Sequence, residues 1–451
     1  MTPRCHHFRP RLECLEGRDT PSNFTVNFSV LTHTLTIVGD NANNSLTVQG
    51  DAGDPTKFHL SSPSDTFNHN PGTFDSPSGV KNITIQMLGG DDSVTFGNSV
   101  PIDLKGNLSV SGGDGANSVT ATDLKVEKSF SIINGTNTSG TDVNNLVNLT
   151  VGGSLTISNG AGDTSTIIAR NSAGVSTIGG SLSITNGAGE DHNNIYDTNV
   201  GGNVTVNNGH GNAQSGLAGF TWFYDFNNTG HPAQIKGNYT VTYLDGNVSS
   251  YDGIWDTAVH GNVTFNHGSG SATTNIDGFV TSLPVIIQGN LTMTGSGANT
   301  VTIGTEYQHT GLILGKNLTV TTGAGDDKLT FNKLDVGGIT TLAQGNGNNT
   351  FTVDDSVFIG KFTLTTGSGN DQVLLDHTAG TSAPTIFEAP VLINQGAGID
   401  SAVRDGTTDA NQKLICLSTF VIHYGGNGGD SSSFNFSQEV FPFGGFIQWV
   451  P

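Results

Sequence analysis

Apolar and polar residues alternate along almost the whole chain. Val, Ile, Leu and Phe take every second place in short runs, with Thr, Ser and Asn between them. A period of two marks a strand with one buried face. No segment of useful length carries the spacing of an amphipathic helix. No run approaches the roughly 18 apolar residues that cross a bilayer. Residues 316–338, KNLTVTTGAGDDKLTFNKLDVGG, spell out the unit. NLTVTT predicts a strand with Leu318 and Val320 on one face. GAGDD is a turn, KLTF a second strand with Leu329 and Phe331 inward, and LDV a third with Leu334 and Val336 inward. Gly337 and Gly338 turn the last corner.

The unit recurs. A small residue followed by a five-residue strand appears as GNLSV from Gly106, GSLTI from Gly153, GSLSI from Gly180 and GNVTV from Gly202. It returns as GNYTV from Gly237, GNVTF from Gly261, GNLTM from Gly289, KNLTV from Lys316, GITTL from Gly338 and GKFTL from Gly360. The anchors at 180 and 202, 316 and 338, and 338 and 360 are 22 residues apart, whereas 202 to 237 is 35. A base period with loop insertions is the signature of a solenoid. The expected fold class is all-β: a single-stranded parallel β-helix, or β-solenoid, of about 22 residues per coil, right-handed by the general rule for such crossovers. Each coil buries roughly six side chains at about 1.5–3 kcal/mol apiece. No coil stands alone, so neighbours must stack. A dozen coils about 4.8 Å apart make a rod on the order of 60 Å long. An array of β-sandwich domains is the alternative, but it predicts Asn-Gly turns instead of a phased G-[NS]-x-[TS] start.

Four segments follow. Residues 1–22 form a leader; 23–80 an irregular β part with the first coils; 81–410 the repeats; 411–451 a cap, because LICLSTFVIHY and EVFPFGGFIQWVP fall off the period.

The 451 residues include 63 Gly, only 12% are charged, and the formal net charge is -21. That balance argues against a nucleic-acid partner. Four of the six Arg residues (Arg4, Arg9, Arg11 and Arg18) lie in the leader, leaving Arg170 and Arg404 for the body. A site gripping anionic sugars or phosphates would be poorly equipped. Three Cys residues, Cys5, Cys14 and Cys416, make no disulfide framework.

The leader contains RPRLECLEGRDTPS and has no apolar core of secretory length. Its Arg9, Pro10, Arg11, Leu12, Glu13, Leu15, Glu16, Arg18, Pro21 and Ser22 resemble the short R-x-L-E-x-L-E-x-R-x-x-P-S element that opens many repetitive surface and secreted proteins of planctomycete bacteria. The resemblance covers about fourteen residues. It implies an extracellular or cell-surface address and no particular activity.

The acidic turns, such as GGDDSV at 89–94, GAGDDKL at 323–329 and GSGNDQV at 367–373, resemble the repeats-in-toxin nonapeptide. In that family glycines permit the turn and Asp carboxylates bind calcium between coils. The resemblance implies Asp91, Asp92, Asp326, Asp327 and Asp371 as candidate ligands, with calcium as the one candidate cofactor. Two departures weigh against it: the element occurs once per coil, and the copy GNGNNTF puts Asn348 and Asn349 where carboxylates would stand. Calcium takes 6–8 oxygens. The competing reading is a Gly-rich corner with no ion. The Asn after the anchor glycine (107, 203, 238, 262, 290 and 317) is expected to stack as an amide ladder.

The longest interval holds LAGFTWFYDFNNTG. Trp222, Tyr224 and Asp225 on this insertion loop, with the nearby Tyr251 and Trp255, are the candidate carbohydrate-binding set, whose aromatics would stack on sugar rings. The same loop folded back on the rod would bury Trp222 and Phe223 instead. Thirteen His residues form no HExxH, and the chain has neither G-x-S-x-G nor a P-loop. Near-identical coils argue against a singular catalytic constellation. The expected function is an exported or cell-surface structural, adhesin-like protein whose partners are carbohydrate or cell-envelope components. The alternatives are a polysaccharide-active β-helix enzyme and a calcium-binding repeat protein.

Overall fold

A computed structural model describes residues 23–97, 100–170, 175–211, 217–224, 233–278, 284–304, 310–376, 383–403, 413–425, 429–433 and 447–450. Residues 71, 217–224, 249–252 and 447–450 are described by their backbone alone. The described chain is all strand and turn, with no helix. Parallel strands stack as a β-solenoid of about 11 turns, roughly 25 residues apart.

Each coil has three faces. The first follows the glycine-anchored corner, as in Leu318–Thr321. The second follows the Gly-rich turn, as in Lys328–Asn332. The third is three residues long, as in Leu334–Val336. Strands of one face pair only with the same face of neighbouring coils. On the first face Leu318 pairs with Thr340, Thr340 with Phe362, and Phe362 with Val391. The third face forms its own 13-stranded ladder from Ile102–Leu104 to Leu414–Cys416.

The interior follows from the alternation. Leu318, Val320, Leu329, Phe331, Leu334 and Val336 are all buried. Rings stack from coil to coil: Phe331 and Phe351 lie 5.5 Å apart, Phe351 and Phe362 5.8 Å, Phe358 and Phe387 5.1 Å. Such pairs add to the area they bury.

The corner between the second and third faces is a single residue in the shortest coils. Asp123, Asp197, Asp256 and Lys333 fill it alone, Asn148, Asp355 and Asp376 open slightly or much longer versions of it, and all seven have φ between 45° and 54°. Asp and Asn tolerate this left-handed conformation better than other non-glycine residues. Most coils longer than 22 residues are enlarged at this same corner. Seven to nine residues separate second-face and third-face strands there, between Asp277 and Val285, Ile303 and Leu312, or Leu375 and Thr385.

Both ends depart from the regular coil. At the start, Asn23–Ser29 pairs antiparallel with Thr34–Val38, and Ser45–Gly50 with Phe58–Phe67, which in turn pairs with Asn70–Asp75. Thr34–Val38 and Ser45–Gly50 then open the first and second ladders. The antiparallel strands cover the first coil and bury Phe24, Phe58 and Phe67 beneath it, which protects an edge that would otherwise be open. At the far end the ladders run past residue 410, where the sequence suggested a cap. Leu414–Cys416 joins the third face, Phe420–His423 the first and Ser431–Ser433 the second. Cys416 fills an inward place on the third face and is buried. The alternation of LIC and FVIH outweighs the loss of glycine punctuation.

Phe331 is fully buried against Phe351, so Phe331→Ala is expected to lose about 3–5 kcal/mol. Thr330→Ala, one residue away on the outer surface, should stay within about 0.5 kcal/mol. Urea unfolding of the two variants checks the inward and outward assignment.

Candidate functional site

Side-chain oxygens reinforce two corners of many of the described coils. At the glycine-anchored corner, the oxygen of one coil accepts the backbone N–H of the equivalent residue in the next coil. Asn82 Oδ1 accepts from Asn107 at 2.9 Å, Asn107 from Ser129 at 3.1 Å, and Asn203 from Asn238 at 2.8 Å. Asn238, Asn262 and Asn290 continue the series to Asn317, which accepts from Ile339 at 2.9 Å. The expected amide ladder is therefore chiefly side chain to backbone. Ser154 and Ser181 take the same place with hydroxyls.

The Gly-rich corner is shaped by backbone crowding. A Cβ on Gly345 would lie 1.7 Å from the carbonyl oxygen of Gly323, and one on Gly396 1.7 Å from that of Gly367. Stacked coils leave no room for a side chain. In the motif's second glycine, φ is 133° at Gly325, 139° at Gly347 and 140° at Gly369, a conformation open to glycine.

The acids of this corner fall into two columns. Asp91 and Asp326 are outer. Asp326 accepts the N–H of Asn348 at 2.7 Å and Asp91 that of Ala116 at 2.9 Å, each from the following coil. Asp92, Asp327 and Asp371 are inner and buried. They accept from the preceding coil: Asp92 from Asn44 at 2.7 Å, Asp327 from Asn299 at 2.7 Å, and Asp371 from Asn349 at 2.9 Å. The column runs Asn299, Asp327, Asn349, Asp371, so an amide separates the two carboxylates. Asp91 and Asp92 stand many coils away, near the start of the rod. The five predicted calcium ligands are thus spread along one edge and are not gathered at one point. Among the described residues no group of three His, Cys, Asp or Glu side chains is placed to hold a metal ion.

Burial dominates the inner column's protonation. It pushes the Asp92 carboxyl up to about 7, with the charges of Asp40, Asp65 and Asp91 adding to it. It pushes Asp191 up to about 8, with Asp163 and Glu190 nearby. Asp142, Asp327 and Asp400 shift upward for the same first reason. One oxygen of Asp92, Asp142, Asp191 and Asp400 is buried without a hydrogen-bond partner. A neutral carboxyl suits such a place better than a charge.

The aromatic candidates sit differently from the insertion-loop expectation. Leu217–Tyr224 is a strand of the second face, pairing with Asp191–Tyr196 and Asn247–Trp255. Trp222 pairs with Asn194 and Gly253, and Tyr224 with Tyr196 and Trp255. Tyr251 belongs to the next strand, Asn247–Trp255. Trp255 is largely buried, at 9% exposure, so its ring is not free to serve as an open sugar platform. Asp225 lies outside the described residues, as do the side chains of Trp222, Tyr224 and Tyr251.

Two features were not read from the sequence. One is a buried amide chain. Asn134 donates to Asn159 at 2.9 Å, Asn159 to Asn186 at 2.7 Å, and Asn186 to Asn208 at 2.9 Å. Its signal was available: SIIN, TISN, SITN and TVNN each end a first-face strand with an inward Asn.

The other is the outer surface of the first face. On the six strands from Tyr239–Tyr243 to Phe362–Thr365, ten of the twelve outward positions are Thr; Asn266 and Ala343 are the exceptions. Ser, Thr, Asn and Ile133 hold the outward places of the five strands before them, from Leu108–Gly113 to Val204–Asn208, apart from Gly113 at the end of the first. None of these positions is charged. Charges appear on the other faces: Lys328 on the second, and the cluster of Asp103, Lys105, Lys125 and Glu127 at the third.

No protein-family model matches this chain, and no curated protein or solved structure is detectably similar to it.

The raised carboxyls fix a sign for the pH dependence. The folded state holds protons more tightly than the unfolded chain, so stability is fullest below about pH 4 for these groups and is lost as pH rises towards about 7 at Asp92 and about 8 at Asp191. The melting temperature should fall between pH 5 and pH 9, and Asp191→Asn should flatten that fall and stabilise the protein at pH 8. Thermal melts across this range, followed by circular dichroism, check it.

Proposed function

We propose that the protein is a structural, adhesin-like solenoid that works through the outer surface of its first face, at the cell surface or outside the cell. The supporting observation is the in-register, charge-free row of hydroxyls on a chain of formal charge -21. A hydroxyl both donates and accepts hydrogen bonds. One weak contact per coil, repeated along a rigid row, adds up as linked contacts do. Without charges the face approaches an anionic polymer without like-charge repulsion, which the rest of the surface would meet. The address rests on the resemblance of residues 9–22, outside the described residues, to the leaders of exported planctomycete repeat proteins. Cell-envelope polymers and other carbohydrates are the partner class that this address suggests.

Adsorption of the purified chain to insoluble envelope and polysaccharide fractions tests the face. A variant carrying Thr292→Val and Thr319→Val, which loses hydroxyls without gaining charge, should bind less. One carrying Thr300→Val and Thr352→Val, outward on the second face, should bind as the parent does. Equal adsorption of both variants, with the fold intact by circular dichroism, removes the assignment.

A further inference from the structure

The threonine rows have a geometry that narrows the partner further, resting on the first face being the working surface. Neighbouring strands lie about 4.8 Å apart and alternate residues of a strand about 6.7 Å apart. Two columns of Thr on six consecutive strands therefore make a rectangular lattice. No register shift interrupts the pairing from Tyr239 through Val263, Leu291, Leu318 and Thr340 to Phe362. The β-branched side chain is stiff about χ1, and each copy stands on equivalent backbone. Hydroxyl and methyl positions therefore repeat with the strands. Where Asn266 replaces Thr, it stays within the row by accepting from Thr294 Oγ1 at 3.0 Å.

Each lattice point offers an oxygen that bonds water beside a methyl that does not. A charged side chain would hold its own hydration shell and disturb its neighbours' water, and none stands at these twelve positions. What suits the row is a flat partner made of oxygens at repeats of a few ångströms, with hydrogens free to point either way. We propose that the six-strand threonine surface binds ice, ordering the first layer of water at its own spacing. The second face supplies an internal contrast. It carries Thr300 with Thr302 and Thr350 with Thr352, but Lys328 and Gln372 break the series.

The full chain is tested for inhibition of ice recrystallisation and for thermal hysteresis with crystal shaping. The parent should arrest grain growth and shape crystals. Thr292→Lys with Thr319→Lys should lose both effects at an unchanged melting temperature, and Thr300→Lys with Thr352→Lys should keep them. No effect of the parent on ice overturns the proposal, as does equal activity in both variants. If the parent ignores ice yet its adsorption to envelope polymers depends on the first face, the ice assignment falls and the working face stands. If neither depends on that face, both fall.

Discussion

Everything in this molecule depends on successive coils meeting residue for residue. Backbone pairing sets their spacing, and the inward side chains set which face points in. The corners supply the precision. Asn and Ser oxygens at one corner reach along the axis for a neighbour's N–H, from Asn82 through to Asn317. At the Gly-rich corner the inner Asp and Asn residues reach the opposite way, as Asp327 does to Asn299. Coils that carry both are held from both sides, and a slip of one residue would break both ladders and turn the Phe and Leu set outward.

The same constraint explains the composition. Glycine is abundant where carbonyls of neighbouring coils crowd the corner, as at Gly345 against Gly323. Threonine is abundant where a β-branched polar residue faces water on a pleated surface. The acids that resemble calcium ligands serve as acceptors for backbone N–H groups, and burial pushes the carboxyls of Asp92 and Asp327 upward.

Much of this was legible. The coil at 316–338 was readable strand by strand, because alternation and glycine punctuation agree there. The position of insertions was harder to read. The left-handed corner is marked by a single Asp, Asn or Lys, and one residue carries little signal until Asp123, Asp256 and Lys333 are seen stacked. Leu217–Tyr224 was misplaced because its aromatic-rich run lacks the Thr alternation of its neighbours, although it pairs as an ordinary second-face strand. The far end was misjudged for a related reason: LIC and FVIH keep the period of two but lack the anchor glycine. The direction of each side-chain ladder could not be read at all, since an Asn at a corner is compatible with either sense.

The coil that closes on itself within 22 residues has an implication for how such a chain changes in length. Because the N–H and oxygen of each rung are matched to equivalent partners above and below, as at Asn290 between Asn262 and Asn317, excising one entire turn returns every dangling group to a chemically identical mate. Removing half a turn does not. The natural currency of variation in this rod is therefore the complete winding, and its span can be lengthened or trimmed only in whole steps.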